Sequence, residues 1–151
     1  MIKIMFVCHG NICRSPMAEF VLKDMVQKLG KEDEFYIRSS ATSREEIGNP
    51  VHHGTKKKLK EYGISTEGKY AVQFTKLDYN TYDYILLMDS WNVKNLNRII
   101  GSDSLGKVSK LLDFAGGGDI ADPWYTGNFD DTYRDVVAGC EGLLKHLGYI
   151  Q

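Results

Sequence analysis

The chain is predicted to fold as an α/β domain, an open doubly wound parallel sheet with helices on both faces. Three observations predict it. Short apolar runs alternate with stretches of helical periodicity from one end to the other. The first run, Ile2-Lys3-Ile4-Met5-Phe6-Val7, is apolar enough to be buried on both faces, as parallel strands are. No internal repeat, low-complexity tract or linker interrupts the 151 residues, so residues 1–151 read as a single domain with a substantial core.

The elements follow in order. A first strand covers residues 2–7. A helix opens near Ser15-Pro16, with Ser15 as N-cap and Pro16 where a missing N–H does no harm. Met17, Phe20, Val21, Met25 and Leu29 recur at helical spacing, and Gly30 closes the helix. Phe35–Ser39 reads as a second strand, and residues 51–62 as a polar helix ending at Tyr62-Gly63. The clearest buried strand is Tyr84–Met88. Asp89 or Ser90 caps the helix after it, which carries Val93, Leu96, Ile99 and Ile100. A fourth strand covers Val108 to Leu112, and a final helix aligns Tyr133, Val136, Val137, Cys140, Leu143, Leu144 and Leu147 on one face. The result is a three-layer, flavodoxin-like or Rossmann-like arrangement.

Composition narrows the partners. With 42% hydrophobic and 26% charged residues and a net charge of −1, nothing points to nucleic acid or to an anionic membrane surface. The N-terminal apolar run is too short for a membrane span or a secretion signal. Three cysteines make no disulfide framework, so a reducing, cytoplasmic setting is expected. His52, His53 and His146 have no ligand spacing with the cysteines, so no metal site is expected. Lys56, Lys57, Lys58 and Lys60 read as a solvated helix face.

In an open α/β sheet a ligand sits beyond the carboxyl ends of the strands, where the strand order switches. Cys8 lies there. The segment Cys8-His9-Gly10-Asn11-Ile12-Cys13-Arg14-Ser15 can wrap one dianion with its backbone N–H groups and the helix N-terminus, while Arg14 grips two oxygens. The same field favours a thiolate at Cys8. A cysteine and an arginine six apart also arise by chance; the strand–loop–helix context, the glycine and Ser15-Pro16 weigh towards chemistry. Asn11 suits a backbone position with positive φ, and Ser15 can donate to the Cys8 sulfur. Ester cleavage also needs an acid for the leaving oxygen. Asp122, in a turn-rich stretch outside any helix, is the candidate: Pro123 fixes its backbone as extended, and Trp124 and Tyr125 can wall a slot for a flat ring.

Cys8-x5-Arg14-Ser15-Pro16 at the N-terminus, with Asp122-Pro123-Trp124-Tyr125 near the C-terminus, resembles the low-molecular-weight protein tyrosine phosphatases. The similarity spans essentially the whole chain, including residues 39–43, 47–50 and 82–89. It implies a sheet of four parallel strands and a two-step reaction without cofactor or metal. Cys8 would attack phosphorus to form a phosphocysteine, and Asp122 would protonate the leaving phenol and then activate water. Arg14 and the loop, His9 to Ser15, would bind the phosphate oxygens. Asn11, Ser15, Ser39 and Asp89 would support the loop, and His9, Glu45, Trp124 and Tyr125 would line the pocket. The resemblance further implies phosphotyrosine proteins as substrates, inorganic phosphate as product, a monomer or weak dimer, and a reversible Cys8–Cys13 disulfide against over-oxidation. A filler thiol at Cys13 is the plainer alternative. Tyr125 is itself a phosphorylation candidate on the same resemblance, a slot wall being the plainer role.

Two departures from the family pattern stand out. Glu45 occupies a place where an aromatic often lines the pocket, which bears on peptide preference. The stretch Gly68-Lys69-Tyr70-Ala71-Val72 lacks a histidine that joins the loop network in the family, so that contact is absent or replaced. Among rivals, a protein-arginine phosphatase of the same family carries Thr where this chain has Ile12. An arsenate reductase would need more relay cysteines and no acid like Asp122. A catalytically silent phosphate-binding module would not need Cys8, Arg14 and Asp122 together.

Overall fold

The computed structural model describes residues 1–151. Strand β1 (Ile2–Cys8) pairs in parallel with β2 (Phe35–Ala41) on one side and β3 (Tyr84–Leu87) on the other, and β3 pairs in parallel with β4 (Val108–Lys110). The order β2-β1-β3-β4 is the predicted doubly wound sheet, with its switch point between β1 and β3. Helix α1 (Arg14–Lys28) makes the crossover from β1 to β2. The next helices are α2 (His53–Lys60), α3 (Lys76–Thr81) and α4 (Ser90–Ile100), and the C-terminal pair is α5 (Pro123–Thr126) and α6 (Phe129–His146).

Strand alternation divides the core into two layers. Ile4, Phe6 and Cys8 of β1 face α1 and α6, packing with Met17, Leu22, Val136 and Leu143. Met5 and Val7 face the other way and pack with Tyr79 of α3, Leu96 of α4 and Phe74. Both faces of the sheet are therefore covered, which explains why β1 and β3 read as continuous apolar runs. No helix is long and apolar enough to cross a membrane.

Local differences from the expected elements have physical causes. Helix α1 begins at Arg14 with Cys13 as its N-cap, and no side chain caps it. Ser15 lies inside the first turn because its hydroxyl meets the Cys8 sulfur instead. Pro16 is still in the first turn, where its absent N–H has no intrahelical partner to lose. Leu29 caps the end of α1 and is exposed rather than core, with Gly30 at φ 68° just beyond. Strand β4 stops at Lys110, and Leu111 and Leu112 belong to a 3₁₀ turn, Leu111–Ala115. Asp122 is the N-cap of the four-residue α5, extended at φ −78° and ψ 114°.

Candidate active site

The loop joining β1 to α1 is held from outside by its carbonyls. The Cys8 carbonyl accepts from Thr42 N–H at 2.9 Å, His9 from Ser43 N–H at 3.1 Å, and Ile12 from His52 N–H at 2.8 Å. The Cys13 carbonyl accepts from the Thr55 hydroxyl at 3.1 Å. All peptide bonds are trans. In a trans peptide the following N–H points opposite to the C=O, so the N–H groups of His9, Gly10, Cys13 and Arg14 face the hollow of the loop. The positive end of the α1 dipole adds to them. Asn11, at φ 59°, is the only non-glycine residue with positive φ, and that turn brings its N–H to 3.3 Å from Cys8 Sγ.

Behind the loop lies a buried polar network. Asn11 Nδ2 donates to Ser15 Oγ at 2.8 Å and to Ser39 Oγ at 2.9 Å, and Ser15 Oγ lies 3.0 Å from Cys8 Sγ. The stretch 68–72 joins this network, because Val72 N–H donates to Asn11 Oδ1 at 3.2 Å.

Arg14 is 2% exposed. Its Nη1 donates to Asp89 Oδ2 at 2.6 Å and to the Ile120 carbonyl at 2.8 Å, and its Nη2 to Asp122 Oδ2 at 3.4 Å. Burial works against its charge, but the neighbouring Cys8, Asp89 and Asp122 outweigh burial and hold the guanidinium above its ordinary value. Asp89 does two jobs, since its other oxygen caps α4 through Asn92 N–H at 2.8 Å. Asp122 Oδ1 accepts from Trp124 N–H at 3.0 Å, so the short helix α5 aims the carboxyl at Arg14.

These groups meet at the floor of a cavity of about 210 Å³. Its floor is Cys8, Gly10, Ile12, Cys13 and Arg14, and its rim is His9, Glu45, Glu46, Asp122, Trp124 and Tyr125. His9 Nε2 and Glu45 Oε2 are paired at 2.8 Å across one side. On the other side Trp124 meets the edge of His52, whose ring stacks on Phe129. Ser39 and Asp89 stand behind the loop, outside the cavity lining. Sequence reasoning missed Glu46, the Ile120 carbonyl and the outward tethers, which are loop contacts without a motif.

Of the remaining thiols, Cys13 is pushed up to about 12, first by burial and then by the neighbouring Cys8. Complete burial on α6 pushes the Cys140 thiol up as well. No three His, Cys, Asp or Glu side chains converge as a metal-ligand set.

Residues 3–149 match the family model described as low molecular weight phosphotyrosine protein phosphatase. The chain is 41% identical over 150 residues to the low molecular weight protein-tyrosine-phosphatase YfkJ of Bacillus subtilis, covering 97% of this chain and 96% of that one. The crystal structure of YfkJ superposes with a TM-score of 0.93 at 39% identity, over 97% of this chain and 94% of YfkJ. SP-PTP, a low molecular weight protein tyrosine phosphatase from Streptococcus pyogenes, gives 0.87 at 46% identity, over 97% and 93%. A drosophila arginine phosphatase gives 0.88 at 29% identity, over 97% and 98%.

Proposed function

Since the chain belongs to the low molecular weight phosphotyrosine protein phosphatase family, we propose that this site hydrolyses phosphotyrosine esters through a phosphocysteine at Cys8. One observation carries the assignment of roles. A thiol, a guanidinium and a carboxyl from opposite ends of the chain meet at one cavity, over a loop whose carbonyls are tethered outward. The dianion binds in the loop, its non-bridging oxygens held by the amides of residues 9–14 and by Arg14. Arg14 keeps its anchor on Asp89 and Ile120, which fixes the fork that faces the phosphate.

The Cys8 thiolate attacks phosphorus; the S–P bond forms as the P–O bond to the phenol breaks. Asp122, at the rim above the loop, gives its proton to the leaving oxygen. In the second step water attacks phosphorus, Asp122 takes a water proton, and the S–P electron pair returns to Cys8. Inorganic phosphate leaves and the starting state is restored. The Ser15 hydroxyl, 3.0 Å from Sγ, steadies the thiolate as nucleophile and leaving group.

The substrates are phosphotyrosine-bearing proteins, whose ring enters between the His9–Glu45 pair and Trp124–Tyr125. Ile12, 9% exposed on the cavity floor, supports an apolar ring over a phosphoarginine guanidinium. Three free thiols suit the cytoplasm, and residues 1–151 act as one domain, as a monomer or weak dimer. The test compares phosphate release from phosphotyrosine and phosphoarginine peptides and from an aryl phosphate. Cys8→Ser is expected to give no turnover, and Asp122→Asn to lose about 10²-fold in kcat, less for good leaving groups. Turnover by Cys8→Ser would sink the mechanism, and faster cleavage of phosphoarginine would reassign the substrate.

A further inference from the structure

Two charged side chains that the reaction above does not use, one buried and one half-buried, lie beneath the phosphate loop. Glu19 of α1 is 2% exposed, and Lys69, from the stretch before α3, has a side chain 11% exposed. A buried carboxylate must be paired, and Glu19 is paired three ways. Glu19 Oε1 accepts from the Ser39 hydroxyl at 2.5 Å and lies 3.7 Å from Lys69 Nζ, while Oε2 accepts from Lys23 Nζ at 2.6 Å. Lys69 Nζ also donates to the Ser39 carbonyl at 2.7 Å. Lys69 thus grips Ser39 twice, directly at its backbone and through Glu19 at its side chain.

Proton counting gives this arrangement a direction. Val72 N–H occupies Asn11 Oδ1, which fixes the amide so that its Nδ2 hydrogens go to Ser15 Oγ and Ser39 Oγ. Both hydroxyl oxygens are therefore acceptors from Asn11 and must place their own protons elsewhere. Ser39 gives its proton to the Glu19 carboxylate. Ser15 has two acceptors within reach, Cys8 Sγ at 3.0 Å and the Ser40 carbonyl at 3.4 Å, and the sulfur, the thiolate of the proposed reaction, is the closer. An ionised Glu19 keeps Ser39 an acceptor, and that keeps the Asn11 amide in the rotation that leaves the Ser15 proton to sulfur.

We infer that Lys69 is a positioning residue for Cys8, acting through Glu19, Ser39, Asn11 and Ser15. The inference rests on the phosphatase reading of the site and adds a group to its machinery. The charges around the pair come from three elements: Lys23 of α1 beside Glu19, Arg38 of β2, which opposes the Lys69 charge, and Cys8 of β1, which favours it. Burial draws the Lys69 ammonium below the ordinary lysine value, against the pull of Glu19. Losing the Glu19 contact would therefore weaken the cation.

The test is a double-mutant cycle on the full chain with an aryl phosphate. Lys69→Met is expected to lower kcat at least fivefold with KM changed less than twofold, and Lys69→Arg to restore most of the loss. In a Ser15→Ala background Lys69→Met should have less than a twofold further effect, since the hydroxyl it acts through is gone. Equal losses in both backgrounds, or an unchanged kcat in a folded Lys69→Met, would overturn the inference. If Lys69→Met does not fold, Glu19→Gln replaces it in the same cycle with the same expectation. The rate of Cys8 alkylation by iodoacetamide at pH 7, read by mass spectrometry, is expected to fall in parallel. That readout uses no phosphate ester, so it decides on Lys69 even if the wild type fails to hydrolyse one.

Discussion

Asn11 shows how much one residue of the loop has to satisfy. Its φ of 59° favours Gly or Asn, while its amide makes three hydrogen bonds that glycine cannot. Asn11→Gly and Asn11→Ala separate the two demands. Both should lose about tenfold or more in kcat, because the Ser15 and Ser39 hydroxyls lose their donor. The alanine variant should in addition be less stable than the glycine one by about 1 kcal/mol, since only it strains the left-handed backbone. Urea unfolding of the pair checks this; alanine matching or exceeding glycine would mean that the loop relaxes φ. Cys13 lies two residues on. At about 12 its thiol is ionised to only about one part in 10⁴ at pH 8, so a single equivalent of iodoacetamide should label Cys8 first. Thiolate character rises tenfold for each pH unit up to its folded value, so Cys13 labelling should climb steadily above pH 8. Phosphate should protect Cys8 from labelling, and mass spectrometry of the labelled peptides reads both thiols.

At the scale of elements, the close approach of α6 to its neighbours depends on absent side chains. A Cβ on Gly142 would lie 2.0 Å from the Phe114 carbonyl oxygen, a backbone atom that cannot turn aside. On Gly54 of α2 it would meet the tip of the Phe129 ring at 2.3 Å, the far end of a side chain that can swing aside. Alanine ordinarily gains about 1 kcal/mol over glycine inside a helix. Overpacking outweighs that gain at Gly142, where Gly142→Ala should lose about 1–3 kcal/mol net. Gly54→Ala should lose less. Thermal unfolding gives the ranking, and the reverse order would show that the 3₁₀ turn carrying Phe114 yields more readily than the ring. These contacts also mark what the sequence could convey. Long periodic stretches announced α1, α4 and α6, and the apolar runs announced β1 and β3, because burial of a whole face leaves a pattern. Helix α3 has only six residues, less than two turns, and its one legible sign was the Thr75–Asp78 capping box. At the site, Cys8, Arg14 and Asp122 stood in spaced motifs. Glu19 stood in no motif, and the stretch holding Lys69 was marked only by a missing histidine, since nothing local to either residue says that it is packed against the other.

The whole molecule is needed to build the site, because its parts come from both sides of the switch point. Cys8 ends β1, Asp89 follows β3, and Ile120 and Asp122 lie beyond β4. Ile120 is tied back to the residue after β3 by its N–H on the Met88 carbonyl at 2.8 Å. The two core layers share β1, so neither can melt without exposing the other, and the loop cannot outlast the sheet that presents it. A dianion that binds the native loop should therefore stabilise the entire domain by linkage rather than a local segment. At 100 times its dissociation constant, phosphate should add about 2.7 kcal/mol to unfolding. For a chain of this length that corresponds to a Tm rise of about 5–10 °C. Cys8→Ser should show the same rise, since the amides and Arg14 remain. Arg14→Lys should lose most of it, because a lysine ammonium offers a point charge in place of a planar fork, and Asp89 and Asp122 are placed to receive that fork. Calorimetric scans of the three proteins with and without phosphate measure the difference. A full rise in Arg14→Lys would place the anion away from this loop, whereas a single transition that moves as a whole only when the fork is present ties phosphate recognition to the global fold.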